Sequence, residues 1–449
     1  MLDQAFSVSN LRKILNADNE KAGDLEEKYI SNAHIIKVKL RKFLDMLFFI
    51  KWSLDRNKVS AEGYDRRKKR LNLLLKEWRH RYEIEIANKL EDISKIIGRK
   101  DFRVTLIEST TTISDKKIYG IGADLSQILA MRFVQLVLKS IYDVKMPSRD
   151  ILVGQIKSLS LDRVPKFIIR ADVESFYESV RHEDLLDSIH KSSELSVEVK
   201  RIITRVLKDY QNISGSNKGL PRGVGVSAYL AEIYLSDIDD NIKNSSDLFY
   251  YARYVDDIVL MYAPSRPELA PTYRKTVEQI MQRKGLSLNH KTTEVDALAE
   301  QKGKFEYLGY EFDLAPGGSG VSLSSKKLLK YRTRIKKSFD DYHRKKAFIP
   351  KKAATELIVR SLFLTGNMRL FNRKSNAFIG IYFSNKHITN TKQLDGLDNF
   401  YRHKIKSIKD SGLRDRLLKN SFQEGFSNKI FRNLDLKQLS NIARGWKHG

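Results

Sequence analysis

Two adjacent carboxylates, Asp256 and Asp257, are the residues of this sequence whose type and surroundings best suit metal binding and catalysis. They interrupt an apolar and aromatic run over residues 248–262, and the strong β-formers on both sides predict a β-hairpin with the two acids at its turn. Such a pair is costly to bury unless a cation meets it. Divalent ions such as Mg²⁺ prefer oxygen ligands, and two-metal phosphoryl transfer uses acids of this kind. The alternative interpretation is a polar turn, where aspartate is common.

A third acid, Asp172, ends the apolar stretch 167–173, which predicts a β-strand. Two-metal nucleotidyl transfer needs acids from neighbouring strands that converge on two cations. Because adjacent side chains of a strand point to opposite faces, only one acid of the 256–257 pair need bind metal directly beside Asp172. We expect Asp256 to be that ligand and Asp257 to have a supporting role. A strand followed by an acidic hairpin is the layout of a polymerase palm.

Hydrophobic patterning indicates the elements that must position these acids. Apolar residues recur at helical spacing over residues 1–100, and the basic segment 321–449 is helix-rich. From about 101 to 170, short apolar runs alternate with basic residues. The Gly-rich turn 315–320 is the clearest linker. The pattern predicts an α+β fold with helical N- and C-terminal extensions. Within the central part it predicts a helical stretch from about residue 183, a helix that follows a Gly- and Pro-rich turn in 219–242, a helix over 267–284 and a β-element over 304–312.

Composition limits the classes of partner. The chain has 449 residues with Lys+Arg 82 against Asp+Glu 55, a formal net charge of +27. This charge predicts a polyanionic partner, with nucleic acid favoured over an anionic membrane surface. The absence of cysteine excludes disulfides and thiolate-bound zinc or iron–sulfur clusters. The most hydrophobic stretch, residues 43–52, is short and contains charges, and the N-terminus lacks the features of a secretion signal, so we expect a soluble intracellular protein.

Five ordered motifs between roughly residues 130 and 312 resemble those of bacterial reverse transcriptases, which include retron, group II intron and defence-associated enzymes. The resemblance implies a right-hand polymerase of fingers, palm and thumb with an antiparallel palm sheet, and the activity of an RNA-directed DNA polymerase, a nucleotidyltransferase. It makes residues 1–100 a helical N-terminal extension, 101–314 the fingers and palm, and 321–449 a basic helical thumb and C-terminal region. The motifs that carry it are 172–177, 219–227, 254–257, 285–292 and 305–310.

The resemblance also implies the catalytic residues. Asp172, Asp256 and Asp257 would be catalytic and, with Val173, would bind two Mg²⁺ ions, with Mn²⁺ as the alternative metal. Lys291 in the fourth motif would be the acid that protonates pyrophosphate. The alternative is that Lys291 is a solvated loop lysine.

Further residues are implied to contact the substrates. Tyr177, five positions after the first acid, would be the steric gate that excludes a 2′-hydroxyl, and the alternative is a core aromatic. The second motif would line the nucleotide pocket through Arg222, Gly223 and Ser227. Reverse transcriptases usually carry Gln where this chain has Arg222, so its effect on nucleotide selectivity stays open. Two upstream basic residues, Lys145 and Arg149, would cover the triphosphate. A hairpin would grip the primer through Tyr307, Leu308 and Gly309.

The flanking segments 3–12 and 366–385 are most similar to defence-associated reverse transcriptases of the type 3 system, and within it to the first of its two polymerase proteins. This similarity implies phage defence in the bacterial cytoplasm, a noncoding RNA template, dNTPs as substrates and a DNA product. It also implies a second reverse transcriptase protein or a homo-oligomer as partner, and no membrane.

Two functions from other classes are the alternatives. One is an RNA-dependent RNA polymerase, against which Tyr177 argues. The other is a noncatalytic RNA-binding scaffold. The intact acids argue against the scaffold, because a buried acidic cluster without metal is a net cost to the fold.

Overall fold

A computed structural model describes residues 3–447 apart from positions 22, 24, 114, 145–147, 163, 301, 317, 319, 373 and 374. The first part of the chain is helical, with one β-hairpin. Its elements are α1 (Val8–Glu20), α2 (Leu25–Tyr29), α3 (Ser31–Asp55), α4 (Ala61–Gly98), β1 (Leu106–Ile113), β2 (Lys116–Ile121) and α5 (Leu125–Ile141).

The central part alternates helices and strands, and the last part is mainly helical. The central elements are α6 (Arg149–Leu161), β3 (Lys166–Asp172), α7 (Phe176–Ser179), α8 (His182–Lys191), α9 (Val197–Ser214), α10 (Val226–Lys243), β4 (Leu248–Tyr254), β5 (Asp257–Tyr262), α11 (Ala270–Arg283) and β6 (Thr293–Ala297). The last elements are β7 (Lys304–Tyr307), β8 (Tyr310–Asp313), β9 (Val321–Leu323), α12 (Ser325–Lys345), α13 (Pro350–Thr365), β10 (Asn367–Asn372), β11 (Ser375–Gly380), α14 (Lys392–Ile405), α15 (Ser411–Leu418), α16 (Phe422–Ser427) and α17 (Leu436–Lys447).

These elements form two compact units, each built from two stretches of chain. The first unit comprises Met1–Lys145 and Ser175–Ile238, and the second comprises Met146–Glu174 and Asp239–Gly449. The predicted boundaries near residues 100 and 320 follow a different division. The assignment of fingers, palm and thumb to those ranges therefore stays a prediction.

The first unit is mostly helical, as the apolar spacing predicts. Ser7 and Ser60 begin α1 and α4 by accepting a hydrogen bond from a backbone N–H three residues on, the usual role of serine at a helix N-cap. Leu11 and Leu15 on one face of α1 are fully buried. The hairpin of α3 and α4, in contrast, leaves large apolar side chains such as Phe48 exposed.

The second unit contains a four-stranded antiparallel sheet in the order β4-β5-β3-β6, which we term the palm sheet. Strand β3 is central, and its residues Ile168, Ile169 and Ala171 are fully buried because both faces of the sheet are covered. The predicted strand over 167–173 and the predicted hairpin around the two acids are confirmed. The second unit thus contains the predicted antiparallel palm sheet, and the described chain mixes helices and strands as an α+β fold does.

A second sheet, β7-β8-β9, follows the palm sheet in the same unit. The hairpin β7–β8 confirms the predicted β-element at 304–312. The interpretation of 315–320 as a linker is wrong. Phe312 on β8 pairs with Val321 on β9, and the backbone N–H of Asp313 donates to the carbonyl oxygen of Gly320 (2.9 Å). The Gly-rich turn is therefore a loop between paired strands of one sheet.

The C-terminal helices pack around an aromatic core. Tyr401 lies edge-on to Phe339 (5.9 Å) and to Phe422 (6.2 Å), and all three side chains are buried. Hairpin β10–β11 interrupts the helices, which the expectation of a helix-rich region did not include. None of the described helices is long and apolar enough to cross a membrane.

Candidate active site

Strand pairing in the palm sheet brings the predicted acids together. Asp172 at the end of β3 lies directly opposite Asp257 at the start of β5. The backbone N–H of Val173 donates to the carbonyl oxygen of Asp256 (3.1 Å). Directly opposed residues of antiparallel strands have Cβ atoms about 4.5–5.5 Å apart. The direct cross-strand neighbour of Asp172 is therefore Asp257. We expected Asp256 to be the metal ligand beside Asp172, but Asp256 lies in the turn.

The turn that carries Asp256 is tight and strained. Tyr254 pairs with Asp257, so that only Val255 and Asp256 form the turn. Val255 has a φ of 60°, a conformation that β-branched residues rarely adopt. Backbone strain of this kind clusters at functional sites, where the surrounding structure holds it in place.

Arg253 and Asp239 hold this turn. The Arg253 guanidinium donates to both carboxylate oxygens of Asp239 (2.8 and 2.7 Å) and, through Nη1, to the carbonyl oxygen of Val255 (3.2 Å). Both side chains of the ion pair are largely buried. The hydrophobic pattern of β4 placed Arg253 within the strand but did not reveal this anchoring contact, because Asp239 lies on the preceding helix.

Asp257 is electrostatically strained. Its pKa is raised to about 7, chiefly by burial and also by the charges of Asp172 and Asp256, while Arg170 opposes the rise. Arg170 Nη2 lies 2.9 Å from Asp257 Oδ1. Oδ1 is buried, with the Arg170 guanidinium as the cation beside it. Further positive charge here would relieve the repulsion among the three carboxylates.

The donor set fits a divalent ion. Among the described residues, no group of three or more acidic or histidine side chains is already arranged around a common point. Nevertheless, three aspartates at one sheet end, one of them with its pKa raised to about 7, supply the hard oxygen ligands that Mg²⁺ prefers. Asp172, Asp256 and Asp257 would hold the ion or ions. Val173 could contribute only its main-chain carbonyl, because its side chain is apolar and buried.

A basic cavity of about 490 Å³ adjoins Asp257 in the second unit. The predicted primer grip lines it: Leu308 and Gly309 both have positive φ (46° and 78°), as a two-residue β-hairpin turn requires. Arg149 donates to the carbonyl oxygen of Leu308. Arg149, predicted to contact the triphosphate, thus lies against the predicted primer grip. The remaining basic residues that line the cavity are Arg170, Lys326, Lys327, Lys330 and Arg334.

The surroundings of Lys327 shift its pKa. Burial, together with the charges of Arg149 and Lys330, lowers the pKa of Lys327 to about 7. Its ammonium donates to the carbonyl oxygen of Ser384 (2.8 Å) and lies 4.5 Å from the centre of the Tyr310 ring. A nearby phosphate would favour the charged form. The sequence showed only that this helix is basic, because the pKa depends on neighbours from other elements.

The predicted fourth motif is attached to β3 through its backbone. The N–H of Asn289 donates to the carbonyl oxygen of Asp172 (2.7 Å), and Arg170 Nη1 donates to that of Lys291 (3.3 Å). The Lys291 side chain is exposed. Its role as an acid stays a prediction, and so do the roles of the other predicted site residues.

The predicted nucleotide-binding residues of the first unit also form one cluster. Arg222 donates to both carboxylate oxygens of Glu178 (2.7 and 3.0 Å), and its guanidinium lies 4.8 Å from the centre of the Tyr177 ring. The backbone N–H of Leu220 donates to the carbonyl oxygen of Tyr177 (2.7 Å). Although burial alone would raise it, the pKa of Glu178 is held below its ordinary value by Arg222 and Lys116.

Gly223 and Ser227 shape the turn of the second motif. Gly223 has a φ of 93°, and a Cβ there would lie 2.7 Å from the carbonyl oxygen of Tyr119 on β2. Ser227 is buried and its hydroxyl donates to the carbonyl oxygen of Pro221 (2.7 Å). Both residues therefore support the backbone that carries Arg222. Lys145 lies outside the described residues.

One comparison with known proteins matches the central part of the chain. A protein-family model described as reverse transcriptase (RNA-dependent DNA polymerase) matches residues 109–312. These residues form a reverse transcriptase domain. The match includes the three acids, Tyr177 and the β7–β8 hairpin up to residue 312. Domains that this family model describes belong to RNA-directed DNA polymerases, which are nucleotidyltransferases.

Two solved structures of telomerase are similar to the chain at low identity. Telomerase from Candida albicans, in complex with a fragment of telomeric RNA, is 13% identical, with 73% of this chain and 65% of that chain covered and a TM-score of 0.39. Apo telomerase from Candida tropicalis is 13% identical, with 76% and 64% covered and a TM-score of 0.39. The chain covers less than two thirds of either telomerase, and similarity at this level carries no argument about its activity. A search of curated proteins found no match to the sequence.

Proposed function

We propose that the protein is an RNA-directed DNA polymerase that joins deoxynucleotides by two-metal nucleotidyl transfer on an RNA template. The observation that carries this proposal is the direct cross-strand pairing of Asp172 with Asp257 beside the Asp256 turn, inside a segment that matches the reverse transcriptase family. Three acids at one sheet end, one with a pKa raised to about 7, are poorly stable without a cation. This electrostatic strain supports a metal-dependent role over a noncatalytic scaffold.

Different residues would bind the metal ions, orient an acid and select the sugar. Bound divalent ions would activate the primer 3′-hydroxyl and neutralise the triphosphate and the departing pyrophosphate. Asp172, Asp256 and Asp257 would hold those ions, and Arg170 orients Asp257 by their ion pair. Tyr177, fixed under the Arg222 guanidinium, presents a rigid ring that would exclude a ribose 2′-hydroxyl.

The test is nucleotide incorporation by the full-length protein, purified with the nucleic acid that it retains. We would add Mg²⁺ and each labelled dNTP or rNTP and sequence the products. Labelled DNA is the expected product, and its sequence would identify the template. Incorporation of rNTPs instead would make the protein an RNA-dependent RNA polymerase. Tightly bound RNA without any product, also when Mn²⁺ replaces Mg²⁺, would favour the scaffold.

Three variants separate chemistry from folding. Asp256→Ala and Asp172→Asn should abolish synthesis, because each removes a metal ligand. Asp296→Asn is the matched control: this exposed acid lies on β6 and pairs with Phe167 at the other end of β3. It should keep wild-type synthesis. Loss of activity in the control would show that charge on the sheet, and not metal binding, is what the first two variants removed.

The biological setting that we propose is phage defence in the bacterial cytoplasm, with a noncoding RNA as template and a second reverse transcriptase protein as partner. Its support is the similarity of segments 3–12 and 366–385 to defence-associated reverse transcriptases. Plating of phages on bacteria that express the gene with its flanking DNA tests this setting. Protection that the Asp256→Ala variant abolishes is expected, whereas equal plating with and without the gene would contradict a defence role.

A further inference from the structure

An exposed aromatic surface lies in the C-terminal region, outside the segment that matches the reverse transcriptase family. We define it by three phenylalanines: Phe378 on β11, Phe383 after that strand, and Phe431 after α16. Phe378 and Phe431 remain 46% and 49% exposed. The ring of Phe378 stacks on Phe383 (5.0 Å, 27°) and lies edge-on to Phe431 (6.0 Å). The rings therefore form one continuous patch that is open to solvent.

The backbone under this surface is firmly held. Asn367 on β10 forms a parallel bridge with Phe431: its N–H donates to the carbonyl oxygen of Ile430 (2.8 Å), and its carbonyl oxygen accepts from the N–H of Arg432 (2.7 Å). The Asn367 side chain is fully buried and donates to the carbonyl oxygen of Gly425 (2.9 Å). The exposed rings are thus presented on a preformed platform. Two exposed phenylalanines that only completed a core would be expected to turn inward.

Negative charge is missing from both segments that build the surface. No acidic residue occurs between Glu356 and Asp395, or between Glu424 and Asp435. Cations do lie there: the Arg369 guanidinium is 5.6 Å from the centre of the Phe378 ring, and the Lys429 ammonium is 4.6 Å from that of Tyr382. In a chain with 55 acidic residues, two neighbouring acid-free segments favour a partner with dense negative charge.

We propose that this surface binds single-stranded RNA, at a site separate from the three aspartates. Unpaired bases expose faces that stack on aromatic side chains, while cations beside the rings contact the phosphates. Duplexes offer no free base faces, and a protein partner would not require that the two segments lack acidic residues. The choice of RNA over DNA rests on the proposed function, in which RNA must be held before synthesis begins and DNA appears only afterwards. The surface would anchor a single-stranded part of that RNA.

The proposal is tested by fluorescence anisotropy with a labelled, unstructured 12-nucleotide RNA and the full-length protein. Excess unlabelled RNA–DNA duplex and the absence of nucleotides keep the polymerase cleft from contributing. The double variant Phe378→Ala/Phe431→Ala should bind the RNA roughly tenfold or more weakly, since stacking on each ring contributes to affinity. Phe378→Tyr/Phe431→Tyr keeps the rings and should restore binding, which guards against misfolding as the cause.

Phe348→Ala is the matched control, because Phe348 is also an exposed phenylalanine (86%) in the same unit but lies in the α12–α13 connection. It should bind RNA as the wild type does. Wild-type affinity in the Phe378→Ala/Phe431→Ala variant, or an equal loss in Phe348→Ala, would overturn the proposal. So would tighter binding of a 12-nucleotide DNA or of duplex RNA than of the single-stranded RNA. Extension of a primer–template by the double variant, measured separately, reports on the proposed polymerase activity and does not depend on this surface.

Discussion

At the scale of single residues, Tyr177 is the side chain for which we predict the most direct effect on the choice between dNTPs and rNTPs. Its ring lies edge-on to Phe176 (5.7 Å) and under the Arg222 guanidinium (4.8 Å), so that it cannot rotate without losing both contacts. Tyr177→Ala should therefore raise incorporation of rNTPs relative to dNTPs by about tenfold or more, as expected when a clash with one small group is removed. Single-nucleotide incorporation kinetics measure this ratio. Tyr177→Phe keeps the ring and should keep the wild-type ratio, and an unchanged ratio in Tyr177→Ala would make Tyr177 an ordinary packing residue.

Lys327 provides a second prediction at this scale, on pH dependence. Because burial and its basic neighbours lower the pKa of this lysine to about 7, it is largely neutral at pH 8 in the free protein. A nucleic-acid phosphate in the basic cavity would raise that pKa, so binding would take up a proton. Affinity for a primer–template should then fall as pH rises above 7, by up to about tenfold per pH unit. Equilibrium titrations at pH 6.5, 7.5 and 8.5 without Mg²⁺ measure it.

Asp257 titrates in the same range, so the contribution of Lys327 is the difference between two proteins. In Lys327→Met the affinity should be lower at pH 6.5 and should depend less on pH. Lys327→Arg stays charged at all three pH values, so it should lose the part of the pH dependence that Lys327 contributes while keeping the affinity. An identical pH profile in the wild type and in Lys327→Met would show that this lysine does not meet a phosphate.

At the scale of elements, the turn of the second motif depends on its contact with strand β2. The N–H of Tyr119 donates to the carbonyl oxygen of Arg222 (2.7 Å), and a Cβ on Gly223 would lie 2.6 Å from Ile118 Cγ2 and 2.7 Å from the Tyr119 oxygen. Gly223→Ala should therefore displace the turn, and with it Arg222, and should lower the free energy of unfolding by roughly 1–3 kcal/mol. Chemical denaturation and polymerase assays measure the two effects. Gly120→Ala is the control, since a Cβ on this β2 residue meets nothing within 4 Å; equal damage from both variants would refute the packing argument.

Also at the scale of elements, local sequence patterns correctly predicted several strands of the fold. The β4–β5 hairpin and strand β3 followed from runs of β-formers that end in acids, and their pairing is confirmed. Hairpin β10–β11 was not predicted, although its pairing is local, because polar residues such as Arg369 and Asn376 interrupt its apolar positions. A different limit applies to 315–320, where Gly and Pro indicate a turn but cannot say that the strands on either side pair.

At the scale of the whole molecule, the types of the site residues could be predicted but their environment could not. Asp172 and the 256–257 pair stand out because acids are rare in apolar runs. Arg170 and the basic cavity were missed, since cations are common in this chain and only tertiary packing shows which of them meet an acid or each other. The signal for Arg170 was its position two residues before Asp172, which puts both on one face of β3.

The net charge of +27 leads to the last prediction, which separates a general field from local contacts. Affinity for an RNA–DNA duplex should fall linearly with salt on logarithmic axes, and each lysine that neutralises a phosphate should contribute about 0.9 to the slope. Lys326→Gln/Lys330→Gln removes two exposed cations of the basic cavity and should lower the slope by about 1.8. Lys409→Gln/Lys419→Gln removes the same charge from exposed positions near α15. If the cavity holds the duplex, this second double variant should leave the slope almost unchanged. If both double variants change the slope equally, only the overall charge attracts nucleic acid, and the duplex does not bind in the cavity.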